Sequence, residues 1–352
     1  MNRDSVITKE LSARIKGIAI VFMVLHHFLS YPSWYEQYVD FGAIGDIFAK
    51  FCDPLRLCIA IFAVLSGYAF NINKVTGLKQ TMFRLLKFLI NYWVVYVIFI
   101  IIGTVICGYP LKTYIIVTGA FGVTADYMCF CWYVTFYLLA MIAMVFVNKI
   151  CKTRIWVTMI IIVICRTMIS IIVRFHLPTD VYSFLHDFFY WFPTILYGYI
   201  IGELKIYDRM CSIKLFKENK SVRIIFFMIL GLVAFWGPNI WGNNLKDFGF
   251  EGIYAVVLVY SLVVVLNYVK NVNILAFLGK YSTNIWYVHC VFFAGATGAI
   301  FKKYLYWSKN PVGIVVFGLV ICILCSVALS YVQKKLIVLL FSKGRKTNGK
   351  SE

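Results

Sequence analysis

The chain has 352 residues, 62% of them apolar and 14% charged, with a formal net charge of +19 and a mean hydropathy of +0.84. Soluble domains are about 45–50% apolar and about 25% charged, so a water-soluble globule, a disordered chain and a nucleic-acid binder with a wet basic face are all poor fits. Eleven cysteines in so apolar a chain do not read as the disulfide scaffold of a short secreted protein.

A helix needs about 20 apolar residues to cross the hydrocarbon core of a bilayer. In chain order, stretches of that kind run over 17–35, 57–73, 88–111, 127–148, 155–173, 188–202, 224–245, 252–269, 281–301 and 310–333. Arg166 interrupts the fifth, and the sixth is short but extends upstream across Asp187. Residues 113–125 are too short and too rich in Gly and Thr to span, and read as a re-entrant or interfacial piece. The pattern predicts an all-α polytopic membrane protein with ten transmembrane helices. Unbroken apolar runs do not fit the alternating strands of a β-barrel. The first span has the basic start of a signal peptide without a small-residue cleavage site, and reads as a retained helix. Residues 1–341 read as a single transmembrane domain and 342–352 as a short polar tail.

Ten spans put both termini on one side. The N-terminal residues, the C-terminal residues from Lys334 onward and the four connections on their side carry 25 Lys and Arg, against 8 on the opposite side. The positive-inside rule therefore places both ends in the cytoplasm. The basic excess is mainly a topology signal, with anionic membrane lipids as the default partner.

An ionisable side chain at membrane depth costs about 2.5–3.5 kcal/mol on insertion scales, which makes each one a functional candidate. His26 and His27 are adjacent in the first span, and His27 lies about 16 Å along the helix from Lys16. His289, in the ninth, lies about 13 Å past Lys280. Neutral imidazole is tolerated in a low dielectric and can take a proton from a hydroxyl. Neighbouring helical residues point about 100° apart, so only one of His26 and His27 can face a given cavity directly. Arg84 and Lys87, at i and i+3, share a helical face and with Lys16 could grip a phosphorylated ligand. Trp34, Tyr35, Tyr38 and Phe41 after the first span, and Trp236, Gly237, Pro238, Asn239, Trp241, Asn243 and Asn244 further on, suit sugar stacking and equally suit an interfacial aromatic belt. Cys322 and Cys325 have CxxC spacing but no His or carboxylate nearby, so they read as small apolar packing and no metal site is expected. Arg166 is expected to pair with a carboxylate such as Asp187.

Five stretches together resemble the family-3 membrane acyltransferases, which O-acylate polysaccharides, antibiotics and cell walls. Ile15–Phe28 (IKGIAIVFMVLHHF) is similar to LRGIAxxxVxxxHF, with Lys16 where the family carries an arginine separated by ten residues from its histidine, here His27. Ile61–Tyr68 (IFAVLSGY) is similar to FFxLSGF/Y, Arg84–Tyr92 (RLLKFLINY) to RxxRxxPxY without its proline, and Leu278–His289 (LGKYSTNIWYVH) to LGxxSxxIYLxH. Phe192–Glu203 (FPTILYGYIIGE) is similar to a recurrent glycine-rich helix.

The resemblance implies a stand-alone O-acetyltransferase of the inner or plasma membrane. Its donor would be cytosolic acetyl-CoA, and its acceptor a sugar hydroxyl of a surface or lipid-linked glycan. Lys16, Arg84 and Lys87 would hold the CoA phosphates. His27 would act as general base or transient acyl carrier, helped by His289 and Lys16, with Ser66, Tyr281, Ser282 and Trp132 at the substrate. A lysine supplies a point charge where arginine would bind in a bidentate fork. The alternative from another class is a multi-span transporter or glycan flippase without acyl-transfer chemistry; no matched pair of broken helices, as carriers often have, is visible.

Overall fold

The computed structural model describes residues 6–73, 77–151, 155–175, 179–240, 251–269 and 272–342. These are all-helical, with ten helices of 16 residues or more: α1 (Lys9–Leu29), α2 (Leu57–Ile72), α3 (Leu78–Ile101), α4 (Trp132–Cys151), α5 (Ile155–Arg174), α6 (Thr179–Glu203), α7 (Lys220–Ile240), α8 (Glu251–Leu266), α9 (Asn273–His289) and α10 (Pro311–Ser342). Each falls on one of the ten apolar stretches. Seven segments are long and apolar enough to cross a membrane: α1, Ile44–Ile72 (which contains α2), α3 continued to Ile106, α4, α5, α7 and α10. The run Asn273–Phe292, which contains α9, and the helix Gly295–Leu305 meet at a 90° bend and make an eighth if they form one span. Outside that count stand α8, apolar but only 16 residues long, and α6, which carries Asp180, Asp187 and Glu203. Seven or eight spans therefore have the length and composition required, against the ten expected. The expected tail 342–352 lies, apart from the backbone of Ser342, outside the described residues.

The chain divides into two compact units interleaved in sequence, Met1–Leu78 with Phe136–Ser282 and Lys79–Thr135 with Thr283–Glu352. In the first unit, α1 starts where Thr8 Oγ1 accepts from the Leu11 amide at 3.1 Å, satisfying one of the orphan donors of the first turn. Glycines set the helix crossings. A Cβ on Gly67 of α2 would strike the Ile195 carbonyl of α6, and one on Gly198 would strike the Val64 carbonyl in return. The α1–α9 crossing repeats this device, with Gly17 against the Leu275 carbonyl and Gly279 against that of Ala13. Between membrane helices no hydrophobic drive exists, so association rests on such backbone approach and its dispersion contacts.

In the second unit, α3 ends in a π-helical segment, Ile102–Ile106, and the chain then turns back beside it. Tyr92 donates to the Gly119 carbonyl at 2.6 Å, Trp93 Nε1 to that of Ala120 at 2.8 Å, and Tyr96 to that of Ile115 at 3.1 Å. Gly119 therefore lies level with Tyr92, about 20 Å back along α3 from Ile106. Aromatic donors on α3 thus take up carbonyls of residues 115–120 that lipid would leave unsatisfied. Beside Tyr92 in the middle of α3, the amide of Asn284 on α9 donates to Ser330 Oγ at 2.9 Å and Gln333 Oε1 at 2.8 Å on α10, and Gln333 Nε2 donates to the Asn91 carbonyl at 2.9 Å. These polar bonds tie three apolar helices together.

Candidate active site

The candidate residues are distributed over both units: Lys16, His27, Ser66, Tyr281 and Ser282 in the first, Arg84, Lys87, Trp132 and His289 in the second.

In the first unit, the last turn of α1 gives its two histidines different surroundings. His26 is buried, 4% exposed. Its Nδ1 lies 3.0 Å from the Cys52 carbonyl and 3.0 Å from Ser30 Oγ, and its Nε2 lies 2.9 Å from the Tyr31 hydroxyl. A carbonyl can only accept, so Nδ1 carries the proton and Nε2 accepts from Tyr31. Both ring nitrogens thus hold the loop that follows α1. His27 is half-buried, with Nδ1 3.2 Å from the thioether of Met23. A thioether has no proton to give, so Nδ1 donates and Nε2 is the acceptor nitrogen, the form a general base requires. The short helix Pro32–Tyr35 brings the Trp34 ring to 6.3 Å from that of His27, with Tyr31 stacked on Trp34 at 4.3 Å. Eleven residues at about 100° each return to within about 20° of the starting direction, so Lys16 and His27 share one stripe of α1.

Lys16 is half-buried at the α1–α9 crossing, beside Gly17. Ser66 Oγ donates to the Phe62 carbonyl at 2.8 Å, and the buried Ser282 Oγ to that of Gly279 at 2.9 Å. Both hydroxyl protons are committed to the helix backbone, and both oxygens keep acceptor capacity. The Tyr281 ring packs 4.9 Å from Phe277, with the Lys280 ammonium 5.0 Å from its centroid.

One feature of this unit escapes any sequence pattern. Arg56 is held between Asp53, three residues before it, at 2.5 Å, and Glu251, 195 positions later, at 2.7 Å. Asp53 directly follows Cys52, the residue tied by His26, so the histidine and the ion pair stiffen one turn. Arg166 Nη1 donates to the Tyr190 carbonyl at 3.3 Å with its guanidinium 5.8 Å from the Tyr190 ring, while Asp187 meets His186 at 3.4 Å. Trp236 lies 5.6 Å from Phe51, whereas Trp241, Asn243 and Asn244 lie outside the described residues.

In the second unit, Arg84 is exposed on α3, and the Lys87 ammonium sits 4.2 Å from the Phe83 ring and 5.7 Å from Phe341. Aromatic faces hold the lysine by cation–π attraction without neutralising it. Trp132 opens α4, 5.8 Å from Tyr133, whose ring is 5.5 Å from Trp286.

His289 ends α9 fully buried. Its Nδ1 donates to the Trp286 carbonyl, which leaves Nε2 as its acceptor nitrogen. Phe130 lies parallel to the imidazole, 5.4 Å away and 7° from coplanar, with φ at +57°. A bulky residue in the left-handed region is strained, and such strain persists only where the surroundings enforce it. Here the neighbouring Cys129 and Cys290 enforce it, each thiol meeting the other's carbonyl, at 3.5 and 2.9 Å. Asn284 and Gln333 could have been found by the rule that flagged the histidines, as amides inside apolar spans. Nothing in the sequence marks Phe130. Among the described residues no group of three or more His, Cys, Asp or Glu could hold a metal ion.

Residues 14–331 match a family model described as an acyltransferase domain, acyltransferase family 3. Neither a curated protein nor a solved structure matches the chain.

Proposed function

The chain belongs to acyltransferase family 3, which makes it a multi-pass membrane acyltransferase, and on that premise we propose that it acetylates a sugar hydroxyl of a surface or lipid-linked glycan at the expense of cytosolic acetyl-CoA. In this reading the protein lies in the cell membrane as one domain through residue 341, with ten crossings and both termini in the cytoplasm. Helices α6 and α8 complete the ten, shielded by neighbouring helices. Bound acetyl-CoA supplies an acyl group activated as a thioester. Lys16, Arg84 and Lys87 take its phosphates by charge-assisted bonds. His27 Nε2 removes the proton of the acceptor hydroxyl as that oxygen attacks the acyl carbon, and the departing thiolate takes up a proton. His289 Nε2 steadies the reacting groups as a second polar contact. Trp34 and Tyr31 offer a ring face to the sugar, Trp132 adds another, and Ser66, Tyr281 and Ser282 supply acceptor oxygens.

The observation that supports this reading best is the state of His27. Its Nδ1 is given to Met23, Nε2 is the acceptor nitrogen, and a stacked aromatic pair stands beside the ring. Membership of an acyltransferase family also removes the basis for the transporter alternative. The test is transfer of radiolabelled acetyl from acetyl-CoA in membranes, wild type against His27→Ala at equal protein abundance. Label should enter glycan only with the wild type; an equal rate in the variant overturns the role of His27.

A further inference from the structure

The second unit contains a cavity that the chemistry above does not use. It has a volume of about 690 Å³, inside the range of about 300–1,000 Å³ typical of ligand pockets. Every lining residue is apolar or aromatic apart from the Cys325 thiol, and the walls come from Val95–Ile102 at the end of α3, Val288–Phe292 at the end of α9, the Gly295–Leu305 helix, and α10. Along α10 the lining runs from Phe317 to Val332, which is about 22 Å of helix. One leaflet of hydrocarbon is about 15 Å thick, so the groove is long enough to take a tail over its whole depth.

The two ends of this groove differ. At the Phe317 end, Trp307 packs on Phe317 with ring centroids 6.2 Å apart, and Tyr304 forms part of the wall. Trp307 and Tyr304 are 66% and 51% exposed, as tryptophan and tyrosine are where a membrane meets water. Lys302 and Lys303 lie on the Gly295–Leu305 helix, between the lining residues Phe301 and Tyr304. The Lys303 ammonium is 5.0 Å from the Tyr304 ring, and the Lys302 ammonium 5.7 Å from the ring of Phe293. Lys302, Lys303 and Lys309 are three of only eight basic residues on the sparsely charged side of the sequence. The positive-inside rule does not account for them, so they need another reason to be there. At the far end Leu329 and Val332 line the wall and the Lys335 ammonium lies 4.5 Å from the Tyr331 ring, on the side where the positive-inside rule accounts for a lysine.

We propose that this groove is a binding site for an anionic phospholipid, one hydrocarbon tail lying along α10 from Phe317 towards Val332 and the phosphate held by Lys302 and Lys303. A tail contributes by burial of its methylenes, about 0.8 kcal/mol each, and is blind to headgroup. The lysine pair supplies the discrimination, about fivefold per lysine near a charged surface. This binding is independent of the acyl-transfer reading and can be measured without any acceptor.

The test is native mass spectrometry of the delipidated full-length protein titrated with phosphatidylglycerol or phosphatidylcholine of identical chains. The wild type should retain one phosphatidylglycerol with a preference of roughly 30-fold, two lysines at about fivefold each. K302Q/K303Q should keep a lipid but lose the preference. Ala328→Trp, placed on the exposed wall of the groove, should lose the retained lipid of either kind. Equal retention of the two lipids by the wild type overturns the proposal, as does an intact preference in K302Q/K303Q. So does exclusive retention of an added polyprenyl phosphate. Because the lysine variant leaves the cavity walls untouched, poor folding of Ala328→Trp would still leave the headgroup test decisive.

Discussion

His26→Ala and His27→Ala alter adjacent residues of one helical turn, and opposite consequences are expected. Truncating His26 strands the Cys52 carbonyl and the Tyr31 hydroxyl, at 3.0 and 2.9 Å from its ring, in a position 4% exposed. Two neutral hydrogen bonds at about 0.5–1.5 kcal/mol each, with roughly 1–2 kcal/mol for the cavity left by a buried ring, put the loss of stability at about 2–5 kcal/mol. Truncating His27 removes a half-buried ring whose Nδ1 meets a thioether, a weak acceptor, and should cost less than about 1 kcal/mol. Its loss as a base should lower acetyl transfer by about 10²–10⁴-fold. Thermal unfolding in detergent, followed by the loss of the monodisperse peak on gel filtration, gives the first quantity. Radiolabel transferred per folded molecule gives the second. His26→Ala should unfold several degrees early and turn over normally while folded; His27→Ala should be stable and inactive. A stable but inactive His26→Ala, or an active His27→Ala, would refute the division of roles argued from their ring nitrogens.

Removing Glu251 leaves Arg56, 84% buried, with Asp53 alone. Glu251→Ala should therefore cost about 2–3 kcal/mol in the unfolding assay, below the roughly 3–5 kcal/mol of a wholly abandoned partner, and Glu251→Gln should recover part of it; an unshifted transition would count against the bridge. Phe130→Gly relieves a positive φ worth about 1–3 kcal/mol and gives up a stacked pair worth about 0.5–1.5 kcal/mol. Loss of the half-buried ring itself adds to the cost, so the unfolding temperature should fall, and transfer per folded molecule should fall as well because His289 loses a ring partner. Undiminished transfer would make the Phe130–His289 stack packing alone. Arg84→Ala should raise the acetyl-CoA needed for half-maximal transfer in membrane vesicles by roughly tenfold, the worth of one bond to a charged group; an unmoved dose response would remove Arg84 from the donor site.

The helices were legible because period and composition are local properties. Ten apolar runs predicted ten long helices, and each run lies on one. The number of membrane crossings was less legible, since α8 is short and α6 carries charge, and what such helices can do depends on their neighbours. That 113–125 is too short to span could be read from length and composition, but the way it lies against α3 could not. That placement is set by Tyr92, Trp93 and Tyr96, nineteen or more positions earlier. Among the candidate residues, the sequence marked Lys16, His27 and His289 by the cost of placing them in hydrocarbon. It could not separate His26 from His27, because the difference lies in Cys52 and Tyr31, which only a folded loop brings to the ring.

By itself, then, the sequence determined that this is a polytopic helical membrane protein of the acyltransferase type. Apolar run length is governed by bilayer thickness, and the motif residues keep their order and spacing along the chain. Tertiary structure alone decided which histidine is tied, that Arg56 meets Glu251, that Phe130 is forced over His289, and that α3, α9 and α10 wall an apolar groove. Each of these depends on pairs far apart in the chain, and no local pattern encodes a contact whose cost and benefit arise only when both partners leave their solvent together.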